Sequence, residues 1–313
     1  MAMKKTTTIV SLLLVLALLT GCGSFQSGRD EPPVSAAFVA TGTEGIVMNF
    51  VPDQPPAKVY TQSPLTFLVE IRNRGTYTVP SGTIYLTGYD PNIIMGLPPR
   101  YDLNQPLEGK SQFNPEGGYT TAEFSTTSVV LPMSMPNYKP TFMLTACYPY
   151  QTVATPLVCI DSNPLDTTTD KACRVQKVYA TGSQGAPVAV QSIEAEARPN
   201  GMYFRIHIGN TAGGTDQASG TVFDMASLGA CPGGLQYKDL NVLEYQASIS
   251  QQPLDCEPKA DIRLVNGKAT IFCKYLNMPQ IPAYQTPLEV RLMYGYKSST
   301  SKVVEIENLE FGR

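Results

Sequence analysis

Pro64-Leu65-Thr66-Phe67-Leu68-Val69-Glu70-Ile71-Arg72-Asn73-Arg74-Gly75 alternates by twos: Leu65, Phe67, Val69 and Ile71 fall on one face, Thr66, Glu70 and Arg72 on the other. That period marks a half-buried antiparallel strand. Asn73 and Gly75 then supply a turn, because both tolerate backbone angles that other residues avoid. Ser81-Gly82-Thr83-Ile84-Tyr85-Leu86 begins the next strand.

The pattern recurs. Phe204-Arg205-Ile206-His207-Ile208-Gly209-Asn210 repeats Phe67 to Asn73 at an offset of 137, and Ser219-Gly220-Thr221-Val222-Phe223 repeats Ser81 to Tyr85 at 138. Tyr148-Pro149-Tyr150 returns as Tyr294-Gly295-Tyr296, and Val158-Cys159-Ile160 as Val304-Glu305-Ile306, both at an offset of 146. A period near 140 is too long for a solenoid unit and fits two copies of one domain. Asn266-Gly267 between two apolar runs is a hairpin signal. No stretch reads as a long helix, and prolines at strand edges favour a sandwich. The expected fold is all-β: two tandem antiparallel immunoglobulin-like β-sandwiches. The Cys, Trp and Cys hallmark of immunoglobulin domains is missing, since the chain has no Trp.

Composition agrees. Charged residues are only 16% against 42% hydrophobic, and Thr, Ser, Tyr, Gly and Pro fill the gap, which suits short strands and turns. The net charge is −3 and there is no basic run beyond the N-terminus, so a nucleic-acid partner is excluded. At the N-terminus, Lys4 and Lys5 precede an apolar run from Ile9 to Leu19, and Leu19-Thr20-Gly21-Cys22 follows. A basic start, a short apolar core and small residues form a secretory signal. With the cysteine directly after, the stretch resembles the signal of a prokaryotic lipoprotein, which implies that Cys22 is acylated and becomes the new N-terminus. The Gly-, Ser- and Pro-rich segment after it reads as a tether. The expected layout is a signal peptide at 1–21, a lipidated Cys22 opening a flexible tether through 36, one sandwich over 37–162, a linker over 163–186 and a second sandwich over 187–313. In that layout the second sandwich is the one farther from the bilayer.

The strand ending in Asn-x-Gly, carried by Phe67, Val69, Ile71, Asn73 and Gly75 and again by Phe204, Ile206, Ile208, Asn210 and Gly213, resembles CARDB-like and related immunoglobulin-like domains of prokaryotic surface proteins. The second copy departs by one inserted residue in its turn. Cys-Tyr-x-Tyr with Val-Cys-Ile-Asp is similar to archaeal secreted proteins. The resemblance implies adhesion or domain spacing and no catalytic residues.

With Cys22 set aside, Cys147, Cys159, Cys173, Cys231, Cys256 and Cys273 remain. An even number in an exported chain reads as disulfides. Cys256 and Cys273 flank the Asn266-Gly267 hairpin and form the favoured pair. Cys159 has two candidate partners: Cys147, across a hairpin turning near Val153, or Cys173, closing a loop. Cys231 is left for Cys173 or Cys147. Asp161, Asp166 and Asp170 offer calcium-type oxygens, but their spacing fits a solvated linker better. His207, the only histidine, sits outward on its strand with no nucleophile nearby in sequence. No catalytic motif, cofactor site or metal site is expected. Tyr89, Ile93, Ile94, Leu97 and Tyr101 lie on a long apolar loop that either meets a partner or caps the sandwich. The expected function is non-catalytic: an extracytoplasmic lipoprotein, held to the membrane through Cys22, that binds a protein or glycan. A structural or accessory subunit of an envelope assembly, such as an appendage or secretion complex, is the alternative. A solute-binding lipoprotein fits less well, because such proteins need α/β lobes.

Overall fold

A computed structural model describes residues 40–166, 170–212 and 220–309. The expected signal peptide, Cys22, the tether and Gly213 therefore lie outside the described residues. Contacts separate residues 1–37 from residues 38–313, and the second group is one compact unit.

The chain is nearly all β. Its principal strands are β1 (Ile46–Phe50), β2 (Leu65–Asn73), β3 (Gly82–Thr87), β4 (Tyr119–Thr126), β5 (Thr141–Ala154), β6 (Val178–Ala180), β7 (Val188–Arg198), β8 (Gly201–Asn210), β9 (Val242–Ile249), β10 (Lys268–Tyr275) and β11 (Tyr284–Val303). The period-two reading holds on β2, where Leu65, Phe67, Val69 and Ile71 are fully buried. β8 buries Met202, Phe204, Ile206 and Ile208 in the same way. At the Asn266-Gly267 turn both residues have positive φ, 51° and 73°, as a two-residue hairpin of this hand requires.

Three antiparallel assemblies carry the core. β1, β2 and β4 form one sheet, and β6, β7, β8 and β10 with the short strand Asp255–Glu257 form another. The third is a nine-stranded sheet whose central order is β9-β11-β5-β3. β5 and β11, the long final strands of the two repeats, pair with each other from Thr141↔Val303 to Ala154↔Val290. Each thereby covers the other's open edge, and an exposed edge of that length invites aggregation. On both strands the even-numbered side chains are buried, Phe142 to Ala154 and Leu288 to Tyr296. Alternation puts them on one face, where the two flanking sheets lie side by side and share a continuous apolar core.

Where two sandwiches with a linker over 163–186 were expected, the two halves are joined by the β5–β11 ladder within one compact unit. The 163–186 segment is structural: β6 pairs with β7, and Gly185 O accepts from Thr76 N (2.9 Å) and from Tyr150 Oη (3.0 Å) in the first half. The physical reason is the β5–β11 pairing, which joins the halves by strand ladders where a linker was expected.

The pairing has local twofold character. Tyr148 pairs with Tyr296 and Tyr150 with Tyr294, on either side of Pro149↔Gly295. Equivalent contacts follow the sequence offsets. Tyr148 Oη accepts from Ile46 N (2.9 Å) and Tyr294 Oη from Val188 N (3.2 Å). Ser298 Oγ donates to Ile46 O (3.1 Å) and Thr152 Oγ1 to Val188 O (2.6 Å). Asn73 Oδ1 accepts from Gly75 N (3.1 Å) and Asn210 Oδ1 from Ala212 N (3.3 Å). One sequence match needs correction. Thr83 pairs with Cys147 on β5, whereas Thr221 pairs with Lys297 on β11. The positional equivalent of β3 is β9, where Ala247 pairs with Val290 as Leu86 pairs with Leu144. The strand Thr221–Phe223 and the short 3-10 helix Met225–Ala230 instead belong to an insertion.

The six cysteines form Cys147–Cys231, Cys159–Cys173 and Cys256–Cys273. The favoured Cys256–Cys273 bridge is present and joins facing residues of two strands. Val153 lies inside β5, so the strand continues where a turn was considered, and Cys159 closes the 14-residue loop with Cys173. Cys147–Cys231 clasps the insertion, with Phe223 and Leu228, Leu235 and Leu240 packed around it. Three disulfides fit an oxidising, extracytoplasmic compartment. No helix among the described residues is long and apolar enough to cross a membrane.

Candidate ligand-binding face

Several candidate residues resolve as structure. Ile94 and Leu97 are buried and Tyr89, Ile93 and Tyr101 are partly buried against the core. Tyr89 Oη donates to Leu97 O (3.2 Å) and Phe142 packs 5.6 Å from its ring. Of the two alternatives the loop takes the capping one, packing against the first half, and of its large apolar residues only Met95 stands well exposed. Asp161 is buried and spends one oxygen on Lys171 Nζ (2.7 Å) and the other on Asn163 N (3.0 Å). No group of metal-ligating side chains occurs among the described residues.

Four buried tyrosines surround the local twofold. Ring centroids of Tyr148, Tyr150, Tyr294 and Tyr296 lie 5.9–6.3 Å from their neighbours. Burial raises all four phenols above their ordinary range. They are neutral, enclosed by core, and structural. Gly75 is small because a Cβ there would meet Tyr150 Oη at 1.7 Å.

Two grooves remain. The larger, about 710 Å³, runs beside β1 and is lined by Gly42–Asn49, Met143 and Ser298–Ser301. It ends against Ala212 and Gly220, which flank residues outside the described set, and among the described residues Glu44 is its only charged lining residue. The second, about 510 Å³, lies on the outer face of β7, β8 and β10 and concentrates the charged and aromatic side chains.

Strand alternation builds this second face. β7 presents Glu194, Glu196 and Arg198, β8 presents Tyr203, Arg205 and His207, and β10 presents Thr270, Phe272 and Lys274. The register sets Glu194, Arg205 and Phe272 in one row and Glu196, Tyr203 and Lys274 in the next. Arg205 Nη1 donates to Glu194 Oε2 (2.5 Å), and its guanidinium lies 5.4 Å from the Phe272 ring centre. Arg198 holds both oxygens of Glu196 (2.8 and 3.1 Å) and lies 4.6 Å from the Tyr203 ring centre. These hydrogen bonds hold the Glu194 and Glu196 carboxyls below the usual carboxylate range. Lys177 and Lys274 also line the groove and make no ion pair among the described residues. Phe272 is 50% exposed.

Thr270, His207 and Glu194 form a line on this face: His207 Nδ1 lies 3.1 Å from Thr270 Oγ1, and Nε2 lies 3.4 Å from Glu194 Oε1. The order resembles a nucleophile, base and acid. The line sits on an open strand face, Thr270 and His207 are outside the groove lining, and Glu194 is already engaged by Arg205. Sequence reading placed His207 outward and missed the rest. The signal was available in Glu194-Ala195-Glu196-Ala197-Arg198 and Tyr203-Phe204-Arg205, where charged and aromatic residues occupy every outward position.

No family model matches the chain, and no curated protein does. Among solved structures the chain is similar to Escherichia coli alpha-2-macroglobulin activated by porcine elastase, at 12% identity over 84% of this chain and with a TM-score of 0.16. The match spans only 22% of that chain. At that similarity it carries no argument about fold or function.

Proposed function

We propose that this chain is a lipid-anchored, non-catalytic cell-envelope protein that binds a protein or glycan through its folded unit. The observation that carries the binding reading is the outer face of β7, β8 and β10, where two arginine–carboxylate pairs, two aromatic rings and two lysines surround one open groove. Sheet faces turned to water carry polar residues as a matter of course; rings stacked under arginines beside a groove of ligand-binding size are more specific. The anchor rests on Leu19-Thr20-Gly21-Cys22, and acyl chains hold a protein stably when more than one is attached. The fused halves give a single rigid presenter.

Two experiments test this reading. Cys22→Ser is expected to move the protein from the membrane fraction to the soluble fraction. Retention on membranes after that change removes the anchor from the proposal. Crosslinking on intact cells followed by mass spectrometry is expected to place crosslinks to a protein or glycan on residues of β7, β8 or β10. Crosslinks confined to the first half would move the binding site there.

A further inference from the structure

The two halves share an interior but have different outer faces. Offset by 137, Tyr203, Arg205 and His207 stand where the first half has Thr66, Leu68 and Glu70. Register fixes the neighbouring strand: Val69 pairs with Ala122, and its equivalent Ile206 pairs with Ile271. Phe272 and Lys274 therefore stand where the first half has Glu123 and Ser125. At equivalent positions the acids Glu70 and Glu123 give way to His207 and Phe272, and the uncharged Leu68 and Ser125 give way to the cations Arg205 and Lys274. Folding does not require this, because side chains on a solvated sheet face contribute little to the core.

We propose that the groove on β7, β8 and β10 binds an anionic glycan, a chain of sugars bearing carboxylates. This rests on the binding reading above and names the ligand class. Charge complementarity is the first argument. The groove lining sets Lys177, Arg198, Arg205 and Lys274 against Glu194 and Glu196, while Asp255 and Glu257 on the next strand, beside Lys274 and Phe272, are paired with Lys259, in a chain whose net charge is −3. Preorganisation is the second. Each arginine is held by a carboxylate and by a ring, so little side-chain freedom is left to lose on binding. The planar guanidinium suits a carboxylate in bidentate geometry. The third argument separates a sugar chain from an acidic peptide. Extended peptides add to strand edges, and helical ones need a deep apolar groove. This groove crosses a sheet face with its backbone already paired on both sides of β8. It offers half-exposed ring surface beside fixed charges, which suits a ligand presenting C–H faces and carboxylates together.

The test uses the full chain in detergent, with polygalacturonate and hyaluronate as anionic probes and dextran as the neutral one, read by calorimetry. Binding of at least one anionic polymer is expected, weakening as salt rises, with none to dextran. Lys177→Gln with Lys274→Gln should lower affinity about tenfold, roughly 1.4 kcal/mol. Phe272→Ala should lower it to a similar extent. Lys274→Arg should retain it. All three positions are exposed, so thermal unfolding can confirm an unchanged fold. Failure of both anionic polymers to bind overturns the inference. Dextran binding that Phe272→Ala abolishes leaves the binding face standing and removes the anionic class. Anionic binding insensitive to these variants removes the site. An acidic protein crosslinked to this face on cells, with no polymer bound, replaces the glycan with a protein partner.

Discussion

The first half and the second half of the folded unit agree inside and differ outside. Inside, each closes its sandwich with one tyrosine phenol on the first strand's N–H, Tyr148 on Ile46 and Tyr294 on Val188, and one asparagine side chain on its own turn, Asn73 and Asn210. Outside, the second half has gained an aromatic and cationic face, an inserted clasp and the Cys256–Cys273 disulfide, while Cys159–Cys173 closes the segment between the two copies. The difference teaches which constraints are shared. Interior packing fixes volume, hydrogen bonding and register together. The solvated face is free to drift, and the proposed binding site lies where it has drifted toward paired charges around a groove.

The strongest way to break the comparison is alkaline pH, because it attacks what the halves share. All four axial phenols are raised by burial. In the unfolded chain tyrosine ionises near pH 10. Above that value the unfolded state has lost protons that the folded state keeps, so stability is full below about pH 10 and falls as pH rises past it. Each phenol held protonated costs about 1.4 kcal/mol per pH unit, and a margin of roughly 5–15 kcal/mol is gone within a few units. Cooperative unfolding, with tyrosinate absorbance appearing in the same transition as loss of the circular-dichroism signal, is expected. Tyrosinate appearing with the fold intact contradicts it. Next in size are Tyr148→Ala and Tyr294→Ala, each expected to lower stability by about 3–5 kcal/mol in denaturant unfolding. If the halves are equivalent inside, the two losses match within about 1 kcal/mol. One mild and one severe loss breaks the equivalence.

Much of this was legible in the chain. Leu65 to Ile71 and Phe204 to Ile208 declared their strands and buried faces by alternation alone. Tyr148-Pro149-Tyr150 and Tyr294-Gly295-Tyr296 declared the duplication, and their constant offset with Val158 and Val304 is the register of equivalent strands. Pairing of β5 with β11 was not legible, because alternation says which side chains face inward and nothing about which strand edge meets which. Ser-Gly-Thr misled for the same reason: a strand start of suitable composition occurs at both places, but an insertion moved the second onto another part of β11. A better marker was present. Ala40-Thr41-Gly42-Thr43-Glu44-Gly45 matches Ala180-Thr181-Gly182-Ser183-Gln184-Gly185 at an offset of 140, and it shows that the second copy begins inside the segment read as a linker. The candidate face was half legible. Outward charges on β7 and β8 follow from period two, while the rows that bring Arg205 over Phe272 need cross-strand register.

The smallest effect sharpens the comparison at one atom. Tyr150 and Tyr296 are equivalent across the twofold, yet their hydroxyls are treated differently. Tyr150 Oη donates to Gly185 O at 3.0 Å. Tyr296 Oη is buried without a well-formed hydrogen bond among the described residues, with the Gly220 backbone against it. Removing a hydroxyl that bonds costs about 1 kcal/mol net, whereas removing a buried one that does not relieves an unmet desolvation cost. Tyr150→Phe should therefore lower stability by about 1 kcal/mol and Tyr296→Phe should leave it unchanged or raise it slightly, read as paired shifts in denaturant midpoint at constant slope. Equal losses in the two variants would mean that Tyr296 Oη makes a hydrogen bond in solution, and the two copies would then be alike at this atom too.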